Sequence, residues 1–147
     1  DHYARDPAGG GEALPETTLA TLPTRLAERC DWVSFLAFAD DQAVGLINAF
    51  EGFSTFAAQP LLNIHDVVVR REWRRHGIAR ALLAAISKAA RERGCCKLTL
   101  EVLSNNHPAM AAYRAAGFAP YELDQRFGQA LLMQRWLTAH EAPPHPV

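Results

Sequence analysis

The stretch from Val67 to Leu83 constrains the fold more than any other part of this chain. It begins with three consecutive valines, which favour a strand, and it ends with apolar residues at helical spacing. A basic loop with a single glycine, Gly77, lies between them. A strand that enters a helix through such a loop can form an anion site, because the first helical N–H groups have no partner within the helix and the dipole is positive there. The pattern therefore predicts a cradle for a phosphate or pyrophosphate.

Length and charge exclude several classes of protein. The chain has 147 residues, of which 49% are hydrophobic and 21% charged, so it suits one domain with a real core. Its formal net charge of -1 provides no overall attraction to nucleic acid or to an anionic membrane, and the basic cluster at residues 70–80 is a local feature. No apolar run is long enough to span a bilayer, and no signal peptide is visible. We therefore expect neither a nucleic-acid partner nor a membrane.

The cysteines indicate the redox setting. The chain contains only Cys30, Cys95 and Cys96. An odd number with one adjacent pair is a poor disulfide framework, and no Cys-x-x-Cys or His/Cys metal spacing is present. This pattern favours buried, reduced thiols in a cytoplasmic protein, with no bound metal.

The predicted elements describe one α/β (α+β) domain over residues 1–147, with a loop at residues 1–14 and a loose Pro-rich tail at residues 140–147. The predicted strands are Trp32 to Ala39, Ala43 to Phe50, Leu61 to Val69, Leu98 to Val102, Tyr121 to Leu123 and Ala130 to Leu137. The predicted helices are two short pieces separated by Pro23 (Pro15 to Leu22 and Thr24 to Cys30), a helix from Ile78 to the capping Gly94, and Ala109 to Ala116 with Asn106 as its N-cap.

Two motifs carry a family resemblance. The segment from Arg74 to Ala79 (Arg-x-x-Gly-x-Ala) resembles the Arg/Gln-x-x-Gly-x-Gly/Ala signature of the GNAT superfamily of acyl-CoA-dependent N-acyltransferases. It lacks the Gly-Lys-Ser/Thr of a Walker loop and the three glycines of a dinucleotide fingerprint. The segment from Asn106 to Phe118 (Asn-x-x-Ala-x-x-x-Tyr-x-x-x-Gly-Phe) resembles the GNAT segment in which an asparagine contacts the cofactor and a tyrosine faces its sulfur. Two motifs in this order, separated by a helix and a strand, argue against coincidence.

The resemblance implies a fold and a cosubstrate. The fold is a mixed, mostly antiparallel central sheet flanked by helices, and because no strand is predicted before Trp32, the usual first strand is expected to be missing. The cosubstrate is acetyl-CoA. The loop would cradle its pyrophosphate, the strand edge would pair with the pantetheine amides, and the Val69 N–H would stabilise the thioester oxygen. The expected cofactor-binding residues are Val67, Val68, Val69, Arg74, Arg75, His76, Gly77, Ile78, Ala79, Arg80 and Asn106.

The implied reaction is direct attack of an amine on the thioester, with Tyr113 protonating the departing thiolate. A free alkyl amine has a pKa near ~10.4, so a base must remove a proton at neutral pH. His65, whose ordinary pKa is near ~6.5, is the candidate, and a hydrogen-bonded strand histidine is the alternative interpretation. In a regular strand Asp66 would point to the opposite face from His65 and would be structural.

The acceptor is predicted only by class: a primary amine of a small molecule or peptide. The region from Phe53 to Arg74 resembles the polyamine-acetylating branch, where a Glu-Asp pair stands in place of His65 and Asp66. The histidine makes a polyamine substrate doubtful. The resemblance also allows a homodimer. The residues expected to line the acceptor pocket are Phe50, Glu51, Phe53 and Phe56, with Glu51 attracting a cationic amine.

Two alternatives stay open on the sequence alone. One is a non-catalytic acyl-CoA-binding domain that kept the cradle. The other is a nucleic-acid-binding module that uses the Arg70 to Arg80 cluster. The slightly acidic overall balance disfavours the second, and so does the cluster's single aromatic residue, Trp73.

Overall fold

A four-stranded sheet carries the fold, and its strand order follows the chain. The computed structural model describes residues 1–6, 9–121, 126, 131–135 and 137. The strands are β1 (Trp32–Ala39), β2 (Gln42–Ser54), β3 (Gln59–Val69) and β4 (Leu98–Leu100). Strands β1 and β2 pair antiparallel, as do β2 and β3, whereas β4 joins β3 in parallel. The predicted mixed, mostly antiparallel sheet is thus confirmed.

Three α-helices accompany this sheet in the described part of the chain: α1 (Glu16–Ala27), α2 (Ile78–Glu92) and α3 (His107–Ala115). A short 3-10 helix, Arg71–Trp73, lies between β3 and α2. The apolar stripe predicted for α2 is confirmed, because Leu82, Leu83, Ile86 and Ala90 are buried. The helix ends in a Schellman motif. Gly94 adopts a φ of 71°, its N–H donates to the Arg91 carbonyl at 3.0 Å, and the Cys95 N–H donates to the Ala90 carbonyl at 2.9 Å.

The hydrophobic core lies between α2 and one face of the sheet. Gly45 on β2 permits their close approach, because a Cβ at this position would lie 2.9 Å from Ile78 Cγ2 and 3.2 Å from Leu82 Cδ1. Glycine here therefore allows the first turn of α2 to pack directly over β2. The sheet residues buried in this core are Val33, Ile47, Ala49, Leu62 and Ile64.

The N-terminal region differs from the prediction at Pro23. The expected break is wrong, because α1 is one helix that continues through Pro23. Proline removes one helical hydrogen bond, and α1 contains no buried residue, so water can satisfy the carbonyl that loses its partner. Residues 1–6 and 9–14 form turns, and no strand precedes α1 among the residues described there.

The two predicted closing strands are not found where the structure can test them. Tyr121, residues 131–135 and Leu137 are described and belong to no strand. A strand requires a hydrogen-bonded neighbour, and the pairings of the sheet include none of these residues. The remaining positions of both predicted strands, and the predicted tail at residues 140–147, lie outside the described residues.

The cysteines are free, but the expectation that they are buried is wrong for two of them. Cys30 and Cys96 are exposed, and Cys95 is half-buried. Their exposure follows from the loops that hold them, since Cys30 follows α1 and the adjacent pair precedes β4.

No helix in the described part of the chain is long and apolar enough to cross a membrane.

The substitution Ile86→Ala tests the packing of α2 on the sheet. Ile86 is fully buried, so we expect the free energy of unfolding to fall by about 2–5 kcal/mol in urea denaturation. Lys88→Ala on the same helix is the control, because its side chain is exposed and forms only a surface ion pair with Glu92. Its effect should stay below about 0.5 kcal/mol. Equal effects of the two substitutions would contradict this packing.

Candidate functional site

The second half of β3 has an open edge. β4 pairs with β3 only at Leu62 to Ile64, so residues 65–69 continue without a partner on that side within the described chain. On the other side β3 remains paired with β2 as far as Val69. The two strands β3 and β4 therefore separate beyond Ile64 and leave backbone groups of β3 available to a ligand.

The hydrogen bonds between β2 and β3 show which backbone groups of β3 face the open edge. The Arg70 N–H donates to the Val44 carbonyl at 2.9 Å. Because bonded pairs alternate in an antiparallel ladder, the N–H and C=O groups of Val68 face β2, whereas those of Val67 and Val69 face the open edge. The Val69 carbonyl does accept a hydrogen bond at this edge, from Arg74 Nε at 3.2 Å.

An uncapped helix N-terminus follows this edge. Gly77 is the N-cap of α2 with a φ of 80°, and no side chain of the described residues caps the helix. The first backbone hydrogen bond of the helix runs from the Ala81 N–H to the Gly77 carbonyl. The N–H groups of residues 78–80 therefore have no carbonyl partner within the helix. A Cβ at Gly77 would meet nothing within 4 Å, which means that the backbone is open to an approaching anion.

The basic side chains of the loop and of the first turn of α2 differ in whether they already have a partner. Arg74 Nη2 lies 2.6 Å from Asp6 Oδ2, so this guanidinium is already paired. Arg75, at a φ of 66°, and Arg80 are exposed and form no ion pair within the described part of the chain. His76 supports the loop itself, because its Nδ1 lies 2.8 Å from the Arg74 carbonyl and its ring contacts Trp73. The charge available to a bound anion therefore comes from Arg75, Arg80 and the helix dipole.

The strand is irregular at His65, which overturns one expectation. Asn48 pairs with Asp66 and Ala49 with Ile64, so His65 is the extra residue of a β-bulge. The His65 ring contacts Phe50 at 4.9 Å between centroids, and Asp66 contacts Asn48. Phe50 and Asn48 are two residues apart on β2, so they share a face. His65 and Asp66 therefore lie on the same face of the sheet, the one turned away from α2, and the prediction of opposite faces is wrong.

A chain of side-chain hydrogen bonds holds Asp66. The amide of the buried Asn48 donates through Nδ2 to Asp66 Oδ2 at 3.1 Å and accepts through Oδ1 from Trp32 Nε1 at 3.3 Å. Asn48 is thus satisfied on both ends of its amide. The network gives the Asp66 carboxylate a defined orientation beside the exposed His65.

Helix α3 supplies the second motif, and its predicted caps are confirmed. Asn106 Oδ1 accepts a hydrogen bond from the Ala109 N–H at 3.3 Å. At the other end the Gly117 N–H donates to the Arg114 carbonyl and the Phe118 N–H to the Tyr113 carbonyl, each at 3.0 Å. This is a second Schellman motif, in which the Tyr113 and Phe118 rings pack edge to face. The turn after α3 therefore fixes the ring of Tyr113.

Tyr113 is also electrostatically suited to hold a proton. Burial raises the pKa of its phenol, and the nearby phenol of Tyr3 raises this pKa further. A tyrosine is already protonated at neutral pH, as a proton donor must be, and the raised pKa extends this state to higher pH. The pKa of Tyr3 is itself raised, first by burial and then by the charges of Asp66 and Asp6. Tyr3 therefore lies within electrostatic range of both Asp66 and Tyr113.

The expected acceptor pocket is only partly assembled. Phe50 contacts His65, but Phe53 and Phe56 are strongly exposed. Glu51 forms an ion pair with Arg93 at 3.2 Å, so its charge is partly neutralised. No group of three or more His, Cys, Asp or Glu side chains among the described residues is placed to hold a metal ion.

Four residues near the site were not identified from sequence. Gly45 and Asn48 could have been identified, because both interrupt the apolar run of the second predicted strand. An isolated glycine in a strand suggests close approach of another segment to the backbone. An isolated asparagine there suggests a buried hydrogen-bond network. Tyr3 and Asp6 had no such signal. Their role depends on contacts with residues more than sixty positions away, such as Arg74.

A family model described as the acetyltransferase (GNAT) family matches residues 10–118. The chain belongs to this family, as its two motifs predict. Among solved structures, a probable acetyltransferase aligns with a TM-score of 0.73 and 27% identity over 90% of this chain and 85% of that one. AAC(6′)-Iy in complex with a bisubstrate analog, CoA-S-monomethyl-acetylneamine, has a TM-score of 0.71 at 20% identity, over 92% of this chain and 90% of that one, and so shares the fold.

Two curated relatives are named as acetyltransferases of small molecules. Streptothricin acetyltransferase from Streptomyces lavendulae is 38% identical over 102 residues, which are 69% of this chain and 52% of that protein. Thialysine N-ε-acetyltransferase from Caenorhabditis elegans is 33% identical over 79 residues, which are 54% of this chain and 49% of that protein. The chain spans about half the length of these two relatives.

The buried amide of Asn48 generates a stability prediction. Asn48→Ala leaves Asp66 and the Trp32 indole without their partner, so we expect a loss of about 1–3 kcal/mol in the free energy of unfolding. Asn63→Ala is the control, since that half-buried amide bonds to Thr99 and, at 3.5 Å, to Glu101. A loss no larger than the control's, measured by urea denaturation, would show that the network contributes little.

Proposed function

We propose that this chain transfers an acetyl group from acetyl-CoA to a primary amine. The observation that carries this proposal is the continuity of two binding features. The open edge of β3, with the amide groups of Val67 and Val69, leads within one short loop to the uncapped N-terminus of α2 at Gly77. A thioester-bearing chain that ends in a pyrophosphate needs these two features in this order.

The proposed cosubstrate contacts follow from that arrangement. The pyrophosphate would lie against the loop from Arg74 to Gly77 and the N–H groups of Ile78, Ala79 and Arg80, with Arg75 and Arg80 adding charge. The pantetheine amides would pair with Val67 and Val69, as an added strand does. Val68 would contribute only its side chain, because its backbone groups face β2. Asn106 would offer its Nδ2 group, since the helix cap uses Oδ1.

The proposed chemistry is a direct transfer. The unprotonated amine nitrogen attacks the thioester carbon, and the Val69 N–H stabilises the oxygen as negative charge develops. The carbon–sulfur bond then breaks, and the thiolate takes a proton from Tyr113. His65, which is exposed at the bulge and so accessible to the acceptor, takes the first proton, the one whose loss converts the ammonium group into the attacking amine. The second proton, which the nitrogen loses as the amide forms, returns through solvent to the Tyr113 phenol. No acyl group is attached to the protein at any step.

The acceptor class is supported from two directions. The bulge brings His65 and the oriented carboxylate of Asp66 to one face, so a cationic amine would meet a base and a negative charge together. The curated relatives are named for streptothricin and thialysine. We therefore propose a small molecule with a primary amine as the acceptor. A peptide amine, a homodimer and a cytoplasmic location stay predictions from the sequence.

Gly77→Glu tests the cosubstrate site, with Gly94→Glu as a matched control. Both glycines have a positive φ, both lie at an end of α2, and neither has a neighbour within 4 Å of an added Cβ. Both variants therefore carry similar backbone strain. In calorimetric titration with acetyl-CoA, only Gly77→Glu should lose binding, roughly tenfold or more, because it places a negative charge in the cradle. Equal affinities in the two variants would refute the cradle.

Tyr113→Phe tests the proton donor. Removing the hydroxyl should lower kcat by about a hundredfold or more and change the affinity for acetyl-CoA by no more than about twofold. Thiol release is measured with a panel of primary amines that includes aminoglycosides, polyamines and lysine analogues. Tyr121→Phe, at a phenol that is 64% exposed, is the control and should be silent.

Two outcomes would change this assignment. If Tyr113→Phe weakens acetyl-CoA binding as much as it slows turnover, the phenol binds the cosubstrate instead of donating a proton. If the wild-type chain binds acetyl-CoA but turns over no amine in the panel, the alternative of a non-catalytic acyl-CoA-binding domain is favoured.

A further inference from the structure

The arginine that opens the loop motif is already engaged by two groups of the chain. Arg74 makes two contacts: Nε donates to the Val69 carbonyl at 3.2 Å, and Nη2 lies 2.6 Å from Asp6 Oδ2. The first contact ties the arginine to the open strand edge. The second brings a carboxylate from the N-terminal turn to the place where the pyrophosphate is proposed to bind.

The N-terminal turn, residues 1–6, is well suited to present this carboxylate. The Asp6 N–H donates to the Tyr3 carbonyl at 3.0 Å, and the Asp6 carbonyl accepts from the N–H groups of Gly9 at 2.7 Å and Gly11 at 3.1 Å. Asp1 accepts from the Leu14 N–H at 3.0 Å, which ties the start of the turn to the start of α1. The backbone of Asp6 is thus held on both sides, and its side chain is directed to Arg74.

The same turn reaches the reacting end of the site. A Cβ on Gly9 would lie 2.0 Å from the Tyr3 carbonyl oxygen, so the chain folds tightly back on Tyr3 at this point. The Tyr3 side chain lies close enough to Asp66 for that charge to raise its pKa, and close enough to Tyr113 to affect the proton donor. Residues 1–6 therefore extend from the cradle to the proposed site of acetyl transfer.

We propose that residues 1–6 form a strap across the acyl-CoA site and that Asp6 competes with the pyrophosphate for Arg74. This inference rests on the proposed function, because it requires acyl-CoA to bind at the cradle. A phosphate that binds this guanidinium also lies beside the Asp6 carboxylate, and two anions side by side repel each other. When the pyrophosphate enters, Nη2 exchanges Asp6 for a phosphate oxygen while Nε keeps its bond to Val69.

The exchange is energetically accessible. The Arg74 and Asp6 side chains are 47% and 24% exposed, so water screens their attraction. Ion pairs of this kind contribute little and open readily. Asp6 thus lowers the affinity for acyl-CoA without preventing its binding, and the release of the strap accompanies cosubstrate binding.

The variant Asp6→Asn distinguishes two roles for Asp6: competition with the pyrophosphate for Arg74, and support of Arg74 in a position that favours the ligand. The amide keeps the shape of the side chain but removes the negative charge. In calorimetric titration we expect CoA to bind roughly two- to fivefold more tightly than to the wild type, as removal of a partly exposed charge predicts. Pantetheine, which lacks the pyrophosphate, should bind with unchanged affinity. Asp6→Ala should reproduce both results and serves as a second variant if the first folds poorly.

Asp31→Asn is the matched control. Asp31 pairs with Arg29 at 2.6 Å with comparable exposure, and the change in net charge is the same. Its CoA affinity should equal that of the wild type. Unchanged or weaker CoA binding by both Asp6 variants would overturn the competition, and weaker binding would mean that Asp6 holds Arg74 in position for the ligand. Failure of the wild-type chain to bind CoA would instead refute the proposed function and this inference together.

Discussion

The packing of α2 on the sheet is the interaction on which the rest of the structure depends. The buried face of the helix, centred on Leu83 and Ile86, rests on the apolar face of β1 to β3, and Gly45 allows its first turn to lie close to β2. This contact determines where the N-terminus of α2 lies. The uncapped N–H groups at the N-terminus of α2 consequently lie one short loop beyond the open edge of β3. A cradle and a strand edge that were further apart would not bind one extended ligand.

The bulge at His65 has a comparable effect on the opposite face. One extra residue in β3 changes the alternation of side chains, because the period of a strand is two. The apolar residues before and after the bulge still reach the core, and His65 and Asp66 appear together on the polar face. Asn48 then orients Asp66 from the neighbouring strand. An irregularity of one residue thus brings an imidazole and a carboxylate together without disturbing the packing against α2.

The site contains groups that attract an anion and one carboxylate, that of Asp6, that opposes its binding. Backbone N–H groups, Arg75 and Arg80 attract an anion, whereas Asp6 occupies Arg74 from the N-terminal turn. The overall charge of the chain is close to neutral, so these local charges decide what the surface binds. The N-terminal turn acts on both ends of the proposed site, since its Asp6 pairs with Arg74 and its Tyr3 lies within electrostatic range of Tyr113.

Local patterns in the sequence were sufficient for β1 to β3, for α2 and α3, and for both motifs. The stripe of α2, the caps at Asn106, Gly94 and Gly117, and the strand–loop–helix junction at Gly77 each depend on neighbours within a few residues, so they could be read directly. The family resemblance followed from the same local spacing.

The tertiary structure alone decided three further features. The bulge at His65 depends on pairing with β2, the orientation of Asp66 depends on Asn48, and the contact between Asp6 and Arg74 joins residues 68 positions apart. No local pattern specifies such contacts, because their formation depends on how the whole chain folds. The sequence by itself therefore determined most of the elements and the class of the protein, because these depend on local spacing, whereas folding decided which side chains meet at the site.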